Sequence, residues 1–546
     1  MVKKYCILLL IFLSSINGFT QHSNFSKQDT LRGSITPERI WWDLLHYDLD
    51  FRTTISSKSL EGSNTISYKV LSENQRMQID LQSPMEITSV IQNNISLDYK
   101  RDGNVYYITL KETQNIDEIY EITIDFKGVP RVARNPPWDV GFTWQKDENN
   151  NDFIASTSQD GGSSIWWPCK DHMYDEPDDG VTMNITTPKH LMGVGNGRLI
   201  NTKDNSDQTK TYTWEVLNPI NNYGININIG DYVHFSEKYK GLKGELDCDY
   251  YVLSYNLEKA KKQFKDASRT LAAFEHWFGP YPFYEDSFKL VEAPYLGMEH
   301  QSAVTYGNDY KNGYLGSDLS GTGWGLKFDF IIIHEAGHEW FANNITYKDI
   351  ADMWIHESFT AYSENLFLDY HYGTEASNNY VIGTRRLIRN DKPLIGPYNV
   401  NKKGSGDMYY KGANMLHTLR QIIDNDEKWR AILVGLNKEF YHKTVKTQQI
   451  ENYINTRFKI DLKPFFNQYL RKKNIPVLEY KLVNGSLSYR WTHVVDDFTI
   501  PVKVFINDKS EWVTPSTSWK TYSLKNKISS FSVDNNFYVA IKNKSN

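Results

Sequence analysis

Three cysteines in 546 residues leave too few for a disulfide framework, so the fold must rest on buried cores. Cys6 lies in the opening apolar run, and Cys169 and Cys248 carry no sign of pairing. Past the first twenty residues no apolar stretch approaches the roughly 18 residues that suggest a bilayer span, so no stable membrane insertion is expected there. Basic blocks are missing too. Lys and Arg number 61 against 66 Asp and Glu, a formal charge of −5, and nucleic-acid binding lacks its electrostatic footprint. There is no internal repeat and no low-complexity tract. A hydrophobic fraction of 40% excludes a disordered or fibrous chain.

What is present begins with "MVKKYCILLLIFLSSINGFTQHS". Two lysines precede an apolar run of roughly ten residues and then small polar ones, the order of a secretory signal. Residues 1–20 are expected to be that signal, cleaved near Thr20–Gln21, and the mature protein to be exported, periplasmic or extracellular. The length calls for several domains. Residues 21–247 show short β-type runs such as "NTISYKV" and "EIYEITIDF" between Gly, Asn and Asp clusters, an all-β domain. From 248 to 472 the period becomes helical, with helices expected over 257–279, 327–343, 355–372, 409–423 and 447–459. A Gly/Asn/Lys loop at 394–408 suits the border of a cleft. Alternation returns over 473–546, a small C-terminal β-sandwich. The fold class is multidomain α+β.

The chemistry concentrates in "IIIHEAGHEWFANN" at 331–344. His334 and His338 are four apart, so on a helix their imidazoles share one face and can converge on one ion. Glu335 sits roughly 100° round the axis, beside the ion rather than on it. The flanking Ile331–Ile333 and Trp340-Phe341 bury the helix, which argues against a chance surface motif. Two histidines do not complete a catalytic zinc site, which takes three protein ligands and one open position. A third histidine in the metzincin arrangement is excluded, because Phe341 and Asn344 occupy the places where Gly and His would stand. The alternative is a carboxylate from a returning helix. The segment "DMWIHESFTAYSENLFLDYHYG" at 352–373 offers Glu357, 19 residues beyond His338. Glu364 follows on the same face, where it could orient a ligand histidine. The plainer readings are a dipole-complementing carboxylate for Glu357 and a solvated one for Glu364.

His-Glu-x-x-His followed after eighteen residues by the glutamate of "WIHESFTAYSE" resembles the aminopeptidase N / leukotriene hydrolase family of gluzincin zinc metallopeptidases. That family usually has Asn at the place of His356 and Gly at that of Ser358. "PYLGMEHQSAVTYG" at 294–307 resembles its G-x-M-E-N signature, with Leu296 for the first Gly and His300 for Asn. "MYYKGANML" at 408–416 resembles its Tyr-x-Lys-Gly helix start. "TSQDGGSSIWWPCKD" at 157–171 resembles a stretch with Gln or Glu nine residues before Pro-Cys, here Gln159 and Pro168.

The resemblance implies a saddle-like N-terminal β domain, a thermolysin-like helical catalytic domain and one Zn2+ per chain held by His334, His338 and Glu357. Glu335 would be the general base, and Tyr409, rather than Tyr410, the donor to the oxyanion. Gly297, Met298, Glu299, His300 and Gln159 would bind substrate. Glu299 is the residue that separates terminal from internal cleavage. A buried carboxylate that takes the substrate's α-ammonium makes a free N-terminus a requirement. The expected partners are peptides with a free N-terminus, and the expected activity is that of a secreted zinc aminopeptidase. Alternatives are a leukotriene-hydrolase-like epoxide hydrolase and a non-catalytic peptide-binding relative. A thermolysin-type endopeptidase shares the zinc motif but has no use for the Gly-Met-Glu signature.

Overall fold

The computed structural model describes residues 25–522 and 527–545; the expected signal segment at 1–20 lies outside them. An eight-stranded mixed sheet dominates the first half. Its central strand Trp42–Thr54 runs antiparallel to Ser59–Val70 and parallel to Val181–Pro188, with Leu49 opposite Asn64 and Met183. Leu44, Tyr47, Leu49 and Phe51 of that strand are buried, and a register shift between Leu44 and His46 resets the alternation. Four-stranded and three-stranded sheets complete the unit around a core that includes Trp42, Trp166, Trp167 and Trp214. Each fully buried Leu, Ile or Phe in such a core contributes about 1.5–3 kcal/mol.

A five-stranded sheet carries the chain into the helical unit. Its strands run, neighbour by neighbour, Tyr232–Gly241, Gly244–Leu253, Phe288–Glu292, Val304–Tyr306 and Gly297–Met298. The boundary expected at 247–248 therefore falls inside a strand, Gly244–Leu253, which pairs in parallel with Phe288–Glu292. The physical reason lies in "CDYYVL". Cys248, Tyr250 and Val252 face the helical core, while Tyr251 and Leu253 belong to the β-domain core. The strand alternates through Asp247 and Asp249 and is buried on both faces only from Tyr250 to Leu253, so its pattern continues past 247 without a break.

The helices expected from periodicity are present with altered ends. The first is split at Phe264 into Leu257–Gln263 and Lys265–Phe278. The helix expected over 327–343 is α-helical only from Phe330 to Gly337. It then widens into a π-turn over Glu339–Asn343, in which Phe341 and Ala342 leave helical angles. Trp354–Tyr372 and Tyr410–Ile423 follow. At the C-terminal end, a four-stranded and a three-stranded sheet share one core with the helices through Leu478, Trp491, Val502 and Val504. The α+β architecture agrees with the expected fold class. Among the described residues no helix is long and apolar enough to cross a membrane, and Cys169 and Cys248 are buried free thiols.

Candidate metal centre and cleft

Asp329 starts the motif helix. Its carboxylate accepts from the backbone N–H of Ile331 and Ile332, satisfying donors that a helix start otherwise leaves open. It also accepts from Gln263, Tyr306 and Asn308, each at 2.8 Å, which ties the helix to the preceding helix and to the five-stranded sheet. Gly337 is required for packing, because a Cβ there would lie 2.6 Å from the Ser363 hydroxyl on the returning helix. The two helices thereby approach closely enough for their polar faces to meet.

His334, His338 and Glu357 each offer one ligand atom, all within 4.8 Å of one another and all buried. Nε2 of His334 and of His338 stand 3.9 and 3.5 Å from Oε2 of Glu357. The outer nitrogens fix the tautomers. His334 Nδ1 donates to Glu364 Oε1 at 2.8 Å, and Glu364 Oε2 accepts from Tyr380 at 2.6 Å. His338 Nδ1 donates to the Phe341 carbonyl at 3.0 Å. The π-turn frees that carbonyl from the helical ladder, so the backbone irregularity serves a ligand. The Nε2 of each ring is left facing the same point, beside Glu357 Oε2.

The cluster fits a cation on grounds of its own. Oε2 of Glu357 is buried without a hydrogen-bond partner, a costly state for a carboxylate oxygen unless a positive charge meets it. Burial alone would push the His338 imidazole down, but the Glu299 and Glu357 carboxylates outweigh it and hold it at about 10. Burial lifts Glu335 to about 7, with Glu299 and Glu357 adding to the rise against the two histidines. The excess of negative charge and the nitrogen–nitrogen–oxygen donor set suit zinc.

A cleft of about 310 Å³ opens over this cluster. Gly297, Met298, Glu299, Gln159 and Glu335 line it, as do Tyr409 and Tyr410. Gly297 lets the edge strand pass the base, since a Cβ there would lie 2.6 Å from Ile331 and 3.2 Å from Glu335 Oε1. Gln159 donates to Glu299 Oε1 at 2.5 Å, and Glu299, Glu335 and His338 bring ligand atoms within 4.8 Å of one another. Asn343, from the π-turn, donates to the Glu299 carbonyl at 3.0 Å.

The neighbouring tyrosines differ in setting. Burial raises both hydroxyls; Tyr409 feels chiefly Glu357, whereas Tyr410 feels Glu364 and Tyr314. Ser358, where the resembled family has Gly, donates to the Met408 carbonyl at 2.7 Å and so pins the turn before Tyr409.

His300 does not line the cleft, contrary to expectation. It is 1% exposed, and its Nδ1 lies 3.5 Å from Thr305. Burial pushes it down to about 3. The chain leaves the edge strand after Met298, and the His300 side chain enters the sheet interior. Sequence reasoning also missed Tyr380, Asn343 and Tyr223, whose hydroxyl donates to Glu299 Oε1 at 3.1 Å. Only spatial proximity identifies them.

A His-Glu-x-x-His helix closed by a glutamate from the next helix, below a cleft, is the site of a mononuclear zinc metallopeptidase. Residues 262–469 match the peptidase family M1 domain and residues 44–223 the peptidase M1 N-terminal domain. The chain belongs to peptidase family M1. Among curated relatives it is 20% identical over 504 residues to probable aminopeptidase 1 of Sulfurisphaera tokodaii, covering 88% of this chain and 60% of that protein. It is 22% identical over 471 residues to aminopeptidase N of Lactococcus lactis, covering 81% and 52%. The chain spans 42–60% of the length of the first three such relatives. The M1 zinc metallopeptidase of Deinococcus radiodurans superposes with a TM-score of 0.70 at 18% identity, covering 82% of this chain and 98% of that one. This likeness supports the fold.

Proposed function

We propose that this protein is a zinc-dependent aminopeptidase that removes the first residue of peptides with a free N-terminus. His334, His338 and Glu357 would hold the ion, and zinc, when bound, supplies Lewis acidity that brings a water toward neutral pKa and polarises a peptide carbonyl. Glu335 accepts the proton of the attacking water and passes it to the leaving amine. The Tyr409 hydroxyl donates to the developing oxyanion. The edge strand Gly297–Met298 offers its open backbone to an extended peptide. Export directed by residues 1–20 belongs to the same proposal and rests on the sequence alone.

The observation that carries the reading is the carboxylate of Glu299, buried, lining the cleft and within 4.8 Å of ligand atoms of Glu335 and His338. A substrate ammonium held there leaves room for about one residue before the scissile bond. The test is the ratio of cleavage rates for aminoacyl anilides with free and acetylated N-termini. A ratio in the hundreds is expected, collapsing in Glu299→Ala; a wild-type ratio near one would overturn the proposal.

A further inference from the structure

Glu299 is held from behind by a directed chain of hydrogen bonds. His356 is fully buried, one residue before Glu357. Its Nε2 lies 2.9 Å from the backbone nitrogen of Tyr347, and the two rings stack at 4.2 Å. A backbone N–H can only donate, so Nε2 must be the unprotonated nitrogen and the ring proton sits on Nδ1. Nδ1 lies 3.5 Å from the Tyr223 hydroxyl oxygen, a long donation that occupies its acceptor side. The Tyr223 proton is thereby turned the other way, onto Glu299 Oε1 at 3.1 Å. Gln159 donates to that same oxygen, and among the described residues no side chain donates to Oε2. The tautomer of a buried histidine thus leaves the Tyr223 proton to Glu299 Oε1, the oxygen that Gln159 also holds.

We propose that His356 and Tyr223 are positioning residues that hold Glu299 with Oε1 saturated and Oε2 presented to the substrate's α-ammonium. The proposal rests on the aminopeptidase reading. It gives a role to His356, which stands where the resembled family has Asn. An Asn side chain places its amide near the Nδ1 position, keeping the donation to Tyr223 while losing the anchor on Tyr347.

The test measures KM and kcat for a free-amine aminoacyl anilide, and the rate on its acetylated form, in wild type, Glu299→Ala, Tyr223→Phe, His356→Leu and His356→Asn. Zinc content is measured alongside. Loss of one hydrogen bond to a charged group should raise KM about tenfold in Tyr223→Phe. A smaller change in kcat, retained zinc and an unaltered rate on the acetylated substrate should accompany it. His356→Leu should raise KM in the same direction, and His356→Asn should recover most of the loss. Wild-type KM in Tyr223→Phe, or equal behaviour of His356→Leu and His356→Asn, overturns the proposal. Should Tyr223→Phe fail to fold, the two His356 variants decide alone. A wild type that does not distinguish free from acetylated substrate overturns the aminopeptidase reading itself. Discrimination lost in Glu299→Ala but intact in Tyr223→Phe leaves that reading standing and removes only the chain behind it.

Discussion

Removing the carboxylate of Glu364 should weaken the metal site without touching a ligand. Glu364 Oε1 accepts from His334 Nδ1 at 2.8 Å and Oε2 from Tyr380 at 2.6 Å, with all three residues buried. In Glu364→Ala both donors lose their partner and water has no ready access. The unsatisfied groups cost about 1–3 kcal/mol each, so the metal-free protein should lose roughly 2–6 kcal/mol of stability. The His334 ring also loses what fixes its tautomer, and losses of this type lower metal affinity by about 10- to 100-fold. Glu364→Gln separates the two effects. Its amide oxygen can still accept from His334, while the Tyr380 hydroxyl loses its acceptor, so stability should fall by about 1–3 kcal/mol, less than in Glu364→Ala. The lost charge should still weaken zinc by about tenfold. Competition against a chelator of known affinity measures the metal, and denaturant unfolding of the stripped protein measures stability. Wild-type zinc affinity in Glu364→Ala would refute the idea that this contact orients the ligand.

Glu335→Gln should retain one zinc per chain and lose turnover, whereas Glu357→Ala should lose the metal; metal analysis showing equal loss in both would mean base and ligand are confused. Tyr409→Phe should cut kcat by about a hundredfold with little change in KM, while Tyr410→Phe stays within a few-fold; steady-state kinetics showing the reverse would place the oxyanion donor at Tyr410. A Cβ on Gly412 would lie 1.9 Å from Ser358 Oγ, so Gly412→Ala should destabilise by about 1–3 kcal/mol. In a Ser358→Gly background the same change should be neutral or stabilising, because alanine favours a helix over glycine; a thermal-unfolding cycle with no coupling would refute the contact.

That His334 and His338 share a face was legible from their spacing of four, and that Glu357 and Glu364 do from their spacing of seven, while the choice of Glu357 as third ligand came from the family resemblance. The helix start, expected at 327, falls at Phe330 because the Asp329 side chain caps it, and the contacts of Asp329 with Gln263, Tyr306 and Asn308 were not legible. Periodicity carries no sign of a π-turn, so neither the Phe341 carbonyl on His338 nor Asn343 on Glu299 could be foreseen. Tyr223 lies 133 residues from His356 and in a different unit, and only the folded chain brings them together. His300 was misjudged because a signature gives residue order and not the direction a side chain takes once its strand ends. The boundary expected near residue 247 falls within one strand, Gly244–Leu253, whose second half packs on both units.

The π-turn has a consequence for distance. Its middle residue, Phe341, turns a carbonyl onto His338, and its last, Asn343, holds the backbone of Glu299, so one short irregular stretch links the candidate metal cluster to the carboxylate proposed to grip a peptide's end. On the proposed reading it acts as a fixed gauge, setting where the cut falls relative to the terminus. Shortening that turn by one residue to restore an ordinary helix would move both marks at once. On the proposed reading, the distance between the grip on the terminus and the cut depends on this backbone detour as well as on the Glu299 side chain.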